Sequence, residues 1–487
     1  MSKTYQFYTA FAACFPSLVV GLLNVWPSYT LSLYTSQNTT VLTSPMNEFQ
    51  SSLVGSLPSL GGMVGTGLVG TVIDRIGRKK GGLVLFFPFV LTWVAIEFST
   101  SPLVILCARF FAGVSGGGSM VYAAIFISEV AEDSVRGALA SGTVMFYCMG
   151  VLISYLLGWF LSYHTILWVN MVASVICLLL IGTVMESPVF LLKNNREEEA
   201  RAALAHYRGV SPASKTVLEE LARLKQQTIP ALELVPITDD AEKPEETEKE
   251  KLQAGEQEIS DERENMPSWK LLFVSPSSRR AFIVVGILIS LQVFMGMVPV
   301  QVYAKELFAK TAPNLSSHLC SVLLAVVLLG GALVTTLITD KAGRRVLLIS
   351  SSVMVGVFMA CLAFLLQTGI APPWVSTLTL LLYCFSFYFG AGSIPYVLLA
   401  EVFVSEVQAI ASMLLVEWVW FLNFFILAVF PFLSNVLGTH VVFYVFASMG
   451  FINAVISYFI LPETNGLSTQ QIQEALLRRR GDDKIYF

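Results

Sequence analysis

The stretch Asp74-Arg75-Ile76-Gly77-Arg78-Lys79 stands directly between two long apolar runs, and it recurs late in the chain as Asp340-Lys341-Ala342-Gly343-Arg344-Arg345. A dense charged knot at the same place in two halves is the mark of an internal duplication. Further landmarks keep step with it. Glu129 closes one apolar run in Ile127-Ser128-Glu129-Val130, and Glu401 closes another in Ala400-Glu401-Val402. Asp340 follows Asp74 by 266 residues, Glu401 follows Glu129 by 272, and Glu463 follows Glu186 by 277. An offset this constant across three landmarks is a repeat.

Of 487 residues, 55% are hydrophobic and 13% charged. That charged share is about half the roughly 25% of a soluble domain. Apolar spans lie near 7–34, 51–72, 81–100, 103–127, 139–161 and 164–184, then near 279–303, 318–338, 346–367, 374–399, 409–433 and 439–461. Each is about the length that crosses a bilayer core of about 30 Å as a helix. The fold expected is therefore an all-α membrane protein of twelve transmembrane helices in two six-helix bundles. Met1 to Lys3 lead at once into the first span without a small-residue cleavage site, so that span reads as a retained helix.

Lysine and arginine orient the chain. Arg75, Arg78, Lys79 and Lys80, then Arg136, the central polar segment, Lys341, Arg344 and Arg345, and finally Arg478 to Arg480 all fall on one face. The other face offers Lys305 and Lys310. The positive-inside rule makes the crowded face cytoplasmic, with both termini there. Two N-x-[ST] sequons, at Asn38 and Asn314, fall on the opposite face and are candidate glycosylation sites. Cys14, Cys107, Cys148, Cys177, Cys320, Cys361 and Cys384 are scattered through apolar segments and read as thiols. Neither they nor the four isolated histidines have metal-type spacing, and no cofactor or nucleic-acid partner is implied.

The expected organisation is an N-terminal bundle over 1–184, a cytoplasmic loop over 185–278, a C-terminal bundle over 279–461 and a cytoplasmic tail over 462–487. Lys193 to Gly209 has amphipathic helical spacing, with Leu192, Ala200, Ala203 and Leu204 between charges. From Asp239 to Glu264 the loop turns Glu- and Lys-rich with almost no large apolar residue, which reads as a disordered insert. It is either a solvated linker or a regulatory, partner-binding element.

Asp74-Arg75-x-Gly77-Arg78-Lys79, Arg109-Phe110, Ile127-Ser128-Glu129 with Arg136-Gly137-Ala138-Leu139, Glu186-Ser187-Pro188 and Pro462-Glu463-Thr464 together resemble the sugar-porter branch of the major facilitator superfamily. Within it, Thr43-Ser44-Pro45 and Arg196-Glu197-Glu198-Glu199-Ala200-Arg201 are similar to the insect facilitated trehalose transporters. The resemblance implies a plasma-membrane carrier working by alternating access. Carboxylates and guanidiniums at cytoplasmic helix ends would form a network made in one state only, biasing a two-state equilibrium. Asp74, Arg75, Arg78, Glu129, Arg136 and Glu186 are its candidates in the first half, and Asp340, Arg344, Glu401 and Glu463 in the second. Where the first half has Arg136 the second has Gln408, which implies a weaker second latch.

A sugar site needs amide and indole groups that hydrogen-bond and stack. Several positions where the branch carries them are apolar here: Val144, Val293, Val298 and Leu328. The candidates that remain for solute contact are Gln292, Tyr303, Tyr396, Trp420 and Asn423. The first span holds no Asp or Glu, which favours passive facilitation over proton coupling. Glu417, eight residues into the eleventh span, is a candidate coupling residue. It would neutralise a cationic substrate, carry a proton, or merely reach the cytoplasmic edge or a neighbouring helix.

The expectation is facilitative transport of a sugar such as trehalose. Two alternatives stay open: carriage of a less polar organic solute, and a transporter-derived sensor or scaffold. No span offers a nucleophile, base and orienter at usable spacing, so an enzyme is not expected.

Overall fold

A computed structural model of the chain describes residues 4–228, 267–467 and 469–477. The acidic stretch Asp239 to Glu264 and the tail arginines Arg478 to Arg480 lie outside the described residues. Among those described, every regular element is helical. The first half holds α1 (Thr4–Val25), α2 (Pro27–Thr35), α3 (Glu48–Ile76), α4 (Arg78–Phe98), α5 (Pro102–Val130), α6 (Asp133–Phe160) and α7 (Tyr163–Thr183). Short helices α8 (Pro188–Lys193), α9 (Glu197–Arg208), α10 (Lys215–Thr228) and α11 (Ser268–Val274) follow on the charged face.

The second half holds α12 (Pro276–Phe294), α13 (Met297–Val302), α14 (Ala304–Thr311), α15 (Ser317–Ala342), α16 (Arg344–Thr368) and α17 (Pro373–Ser386). A π-helical turn over Phe387–Ala391 leads to α18 (Ile394–Glu401), α19 (Ser405–Val436), α20 (Thr439–Ile460) and the tail helix α21 (Thr469–Leu477). Twelve segments are long and apolar enough to cross a membrane, in register with the spans read from the sequence. α3 and α5 run a turn further than hydropathy alone suggests and carry Asp74, Arg75 and Glu129 as helical residues.

Close backbone approach builds the first bundle. A Cβ at Gly61 or Gly65 of α3 would strike Phe110 or Val114 of α5, and one at Gly113 or Gly117 of α5 would strike Pro58 or Gly62. Without a hydrophobic drive between helices in lipid, such small-residue contacts and interhelical hydrogen bonds do the holding. The two halves meet chiefly where α3 lies on α19 and where α6 lies on α15. α8 to α10 dock on the charged end of the first bundle. Arg208 pairs with Glu220 at 2.6 Å and donates to the Val130 carbonyl at 2.9 Å, while Gln6 donates to the Tyr207 carbonyl at 3.1 Å.

Proline decides where these helices bend. A proline has no N–H, so it leaves the carbonyl four residues earlier without its helical donor, and inside a bilayer no water replaces it. Pro27 frees Leu23, and Pro58 frees Val54. Both carbonyls are taken by one side chain: Arg109 of α5 donates Nη1 to Leu23 at 2.7 Å and Nε to Val54 at 2.9 Å. In the second half, the helix break at Gly296 frees Met295, which accepts from the Tyr383 hydroxyl at 2.8 Å. Pro431 frees Leu427, which accepts from the Tyr303 hydroxyl at 3.1 Å.

Arg109 is fully buried, its guanidinium 5.6 Å over the Trp26 ring. Replacing it with Met strands two buried carbonyls, each worth about 1–3 kcal/mol. Arg109→Met is therefore expected to lower the melting temperature of the detergent-purified protein. The same change on a Pro27→Ala, Pro58→Ala background should cost clearly less, because the helical donors return. Equal losses on both backgrounds would remove this account of Arg109.

Candidate functional site

The charged face carries one device twice. In the first half, Arg78 makes a two-pronged contact with Glu129, Nε to Oε2 at 2.8 Å and Nη2 to Oε1 at 2.6 Å, and pairs with Asp74 at 3.1 Å. Glu186 does something different: its Oε1 accepts the backbone N–H of Arg78 at 2.7 Å and of Ser187 at 3.0 Å. It caps the free donors at the start of α4, where the helix dipole also favours a negative charge. The second half repeats this. Arg344 reaches Glu401 at 3.0 Å, and Glu463 accepts the backbone N–H groups of Arg344 at 2.8 Å and Arg345 at 3.2 Å.

Gly77 and Gly343 make the caps possible. Their φ angles, +99° and +83°, lie where a side chain is strained. A Cβ there would also strike Glu186 or Glu463. So Glu186 and Glu463, expected as gating charges, hold turns. Arg75 is exposed and lies outside the described ion pairs. Arg136 is exposed and donates to the Ala131 carbonyl at 3.3 Å. Gln408 reproduces that tether on the Ala400 carbonyl at 3.1 Å. Asp340 sits in α15, and its side chain lies outside the described set. The ion pairs described on this face join Arg78 to Asp74 and Glu129, Arg196 to Glu199, Arg201 to Glu198, Arg208 to Glu132 and Glu220, Lys215 to Glu219, Lys225 to Glu197, and Arg344 to Glu401. Each stays within one half.

The sequon face is bonded across the halves. Gln301 of α13 is the centre: its side-chain oxygen accepts from the Tyr147 hydroxyl at 3.1 Å, and its backbone carbonyl from the Tyr155 hydroxyl at 2.6 Å. Its amide nitrogen donates to the Tyr388 hydroxyl at 3.4 Å. Asn24 donates to Tyr147 at 3.5 Å, and the Lys305 N–H donates to Ser28 Oγ at 3.0 Å. Burial pulls the Lys305 ammonium below its usual range. α13 is aimed by the break at Gly296, whose φ is +85°. Tyr303, expected as a solute contact, is closed in here. Its ring stacks on Phe430 at 5.5 Å, its hydroxyl is committed to Leu427, and it lies against Gly55.

Between the two faces lie the other candidates. Gln292 is buried and donates to the Gly392 carbonyl at 3.3 Å, with the Tyr396 phenol beside it. Trp420 lies on Gly62 of α3 and donates Nε1 to Thr66 Oγ1 at 3.0 Å, across the halves. Asn423 is buried, and Glu417 is half-buried and faces Gly67. Tyr396 is 40% exposed, the openness expected of a residue on a solute path.

The family described as "Sugar (and other) transporter" matches residues 8–236 and 237–476. The chain belongs to this family. Its sequence is 25% identical over 482 residues to the facilitated trehalose transporter Tret1 of Drosophila virilis, covering 97% of this chain and 49% of that protein. It is 23% identical to Tret1 of Polypedilum vanderplanki, with 97% and 88% covered. The chain thus spans about half the length of the Drosophila relatives it matches. Among solved structures, the E. coli xylose transporter XylE in an inward-open conformation superposes with a TM-score of 0.75 at 20% identity, covering 97% of this chain and 99% of that one. The same transporter bound to 6-bromo-6-deoxy-D-glucose superposes at 0.72 and 20% identity, covering 98% and 100%. The fold is the twelve-span major facilitator fold.

The four apolar substitutions differ in exposure. Leu328 is 0% exposed and Val293 5%, close to Gln292 at 7%, while Val144 is 48% exposed and Val298 half-buried. Asn24, Tyr147, Gln301 and Tyr388 bring amide and phenol groups that inspection of motif positions misses. The one sequence signal for Gln301 is an amide standing among apolar residues just past the Gly296 break.

The twin charged clusters differ in depth. The Arg78 side chain is 3% exposed and that of Arg344 is 11%. Removing one partner of a buried pair costs about 3–5 kcal/mol. Arg78→Ala is expected to approach that loss and Arg344→Ala to fall short of it, read as paired thermal unfolding shifts.

Proposed function

We propose that this chain is a facilitative, alternating-access carrier of a sugar, trehalose or a related saccharide, in the plasma membrane. The charged face is then cytoplasmic, with both termini on that side. Asn38 and Asn314 are exposed, and on this reading they lie on the outer face, open to N-glycosylation. One observation carries the reading. The halves are hydrogen-bonded to each other through Gln301 at the sequon face, while the ion pairs described at the charged face stay inside each half. This is the arrangement of a carrier shut outside and separable inside. For the opposite state, Tyr147 and Tyr155 must release Gln301, and the charged ends must converge. A solute bound at mid-depth by Gln292, Tyr396, Trp420 and Asn423 would pass from one side to the other.

The chain's own residues account for carriage without coupling. Arg109 spends two of its donor nitrogens on carbonyls freed by proline, and the first span has no carboxylate. The test is uptake of labelled trehalose and glucose into proteoliposomes holding the purified chain. Saturable flux that equilibrates without accumulation is expected at every imposed pH gradient. Gln292→Ala should reduce it about 10-fold, the loss of one buried hydrogen-bonding group. Gln301→Ala should raise the fraction of protein open to impermeant thiol reagents from the outside, at a cysteine placed beside Gly55. Absence of saturable flux for either sugar in correctly folded protein would defeat the proposal.

A further inference from the structure

Around Gln292 and α19 the polar atoms are unevenly divided. Three donors there are spent on the protein itself: Trp420 Nε1 on Thr66 at 3.0 Å, Trp418 Nε1 on Ser290 at 2.9 Å, and Gln292 Nε2 on Gly392 at 3.3 Å. Acceptors are left over. Gln292 Oε1, Asn423 Oδ1 and Glu417 Oε1 are each buried without a partner. Gln292 and Asn423 are 7% and 8% exposed, and Glu417 is half-buried. A native fold leaves few buried acceptors unsatisfied, and such groups mark a ligand or a mechanism.

Of the three, Glu417 is the one that carries charge. Among the described residues its carboxylate has neither a hydrogen bond nor an ion pair. It stands ten residues inside the 30-residue span Val407–Val436, roughly 15 Å from the charged-face end of a helix about 45 Å long. That is a third of the way along the span, within a bilayer core of about 30 Å and on its charged side. Across the interface, a Cβ on Gly67 of α3 would lie 3.5 Å from Glu417 Oε1. Trp418 and Trp420 flank it on the same helix. A half-buried carboxylate within a span, with one oxygen buried and unpartnered, favours a positive partner. The hydroxyls of a neutral sugar can donate to Gln292 and Asn423, yet they leave this charge standing.

Resting on the sugar-carrier reading, we infer that the preferred solute carries a protonated amine beside its hydroxyls, with Glu417 as its counter-ion: an amino sugar or amino polyol. Its hydroxyls satisfy the two amide oxygens, the indole rings face its apolar and cationic surface, and its ammonium makes a charge-assisted bond to Glu417. Transport of such a solute moves one positive charge per turnover. It is therefore driven by an inside-negative potential.

The experiment is flux of D-glucosamine, N-acetyl-D-glucosamine and D-glucose into proteoliposomes of the full chain, at a pH where the free amine is protonated. A potassium–valinomycin potential is imposed or omitted. Saturable glucosamine flux about 10-fold above that of its neutral acetylated form is expected, rising with inside-negative potential. Glucosamine should also displace labelled trehalose better than N-acetylglucosamine does, which needs no variant. Glu417→Gln should lower the glucosamine-to-glucose flux ratio about 10-fold, with Glu417→Asp between the two.

Equal flux of glucose and glucosamine, indifferent to potential and to Glu417→Gln, would overturn this inference and leave the sugar-carrier reading standing. So would glucose flux without glucosamine flux. No flux of any of these sugars, in protein that melts cooperatively, would overturn both.

Discussion

A carbonyl inside a bilayer must find a donor within the protein, and in this chain prolines set that demand at the places that matter. Pro27, Pro58 and Pro431 each free one carbonyl and the break at Gly296 frees another, and Arg109, Tyr303 and Tyr383 answer from other helices. The donors are therefore also struts. Arg109 ties the bends of the first and second spans to α5, and Tyr303 ties the outer end of the seventh span to α19. A bend and the contact that stabilises it are thus one feature. In the proposed carrier cycle, the helices that would tilt are jointed at positions where the joint is chemically closed.

The charged turns obey the same requirement at the water boundary. A helix that restarts one residue after its predecessor ends exposes donors that need an anion, and a residue with positive φ is needed to turn that sharply. Gly77 and Gly343 supply the angle, and Glu186 and Glu463 supply the anion from the end of the sixth and twelfth spans. The cap thus joins the third span of each half to its last. The guanidiniums of Arg78 and Arg344 then have their carboxylates, Glu129 and Glu401, in the fourth and tenth. Three helices of each half are fixed together at one end, which lets each half move as a body.

Much of this was legible before any coordinates. Span length and charge clustering are one-dimensional properties, so the twelve helices and the twin turns follow from counting. The polar lattice at Gln301 was not legible, because Asn24, Tyr147, Gln301 and Tyr388 are far apart in the chain and meet only through packing. The apolar positions Val144 and Leu328 looked alike as losses from a solute pocket, yet Val144 is 48% exposed and Leu328 fully buried in this state. Tyr303 looked like a free aromatic, yet a carbonyl released by Pro431 claims its hydroxyl. In each case the sequence shows the group, and only the fold shows whether another group has already taken it.

The same distinction separates closure from recognition at the interface between the halves. Along the sequon face Gln301 bonds across the halves and uses its side-chain oxygen, its nitrogen and its carbonyl. Within the spans, Gln292 Oε1, Asn423 Oδ1 and Glu417 Oε1 wait. A carrier requires this division. Bonds that shut a face must be complete without solute so that the empty protein can close and reset. Bonds that recognise solute must be incomplete without it, or binding would release no free energy to shift the equilibrium. The solute then acts through the acceptors left open to it. Because one of those is a carboxylate with no cation beside it, charge as well as shape enters the selection.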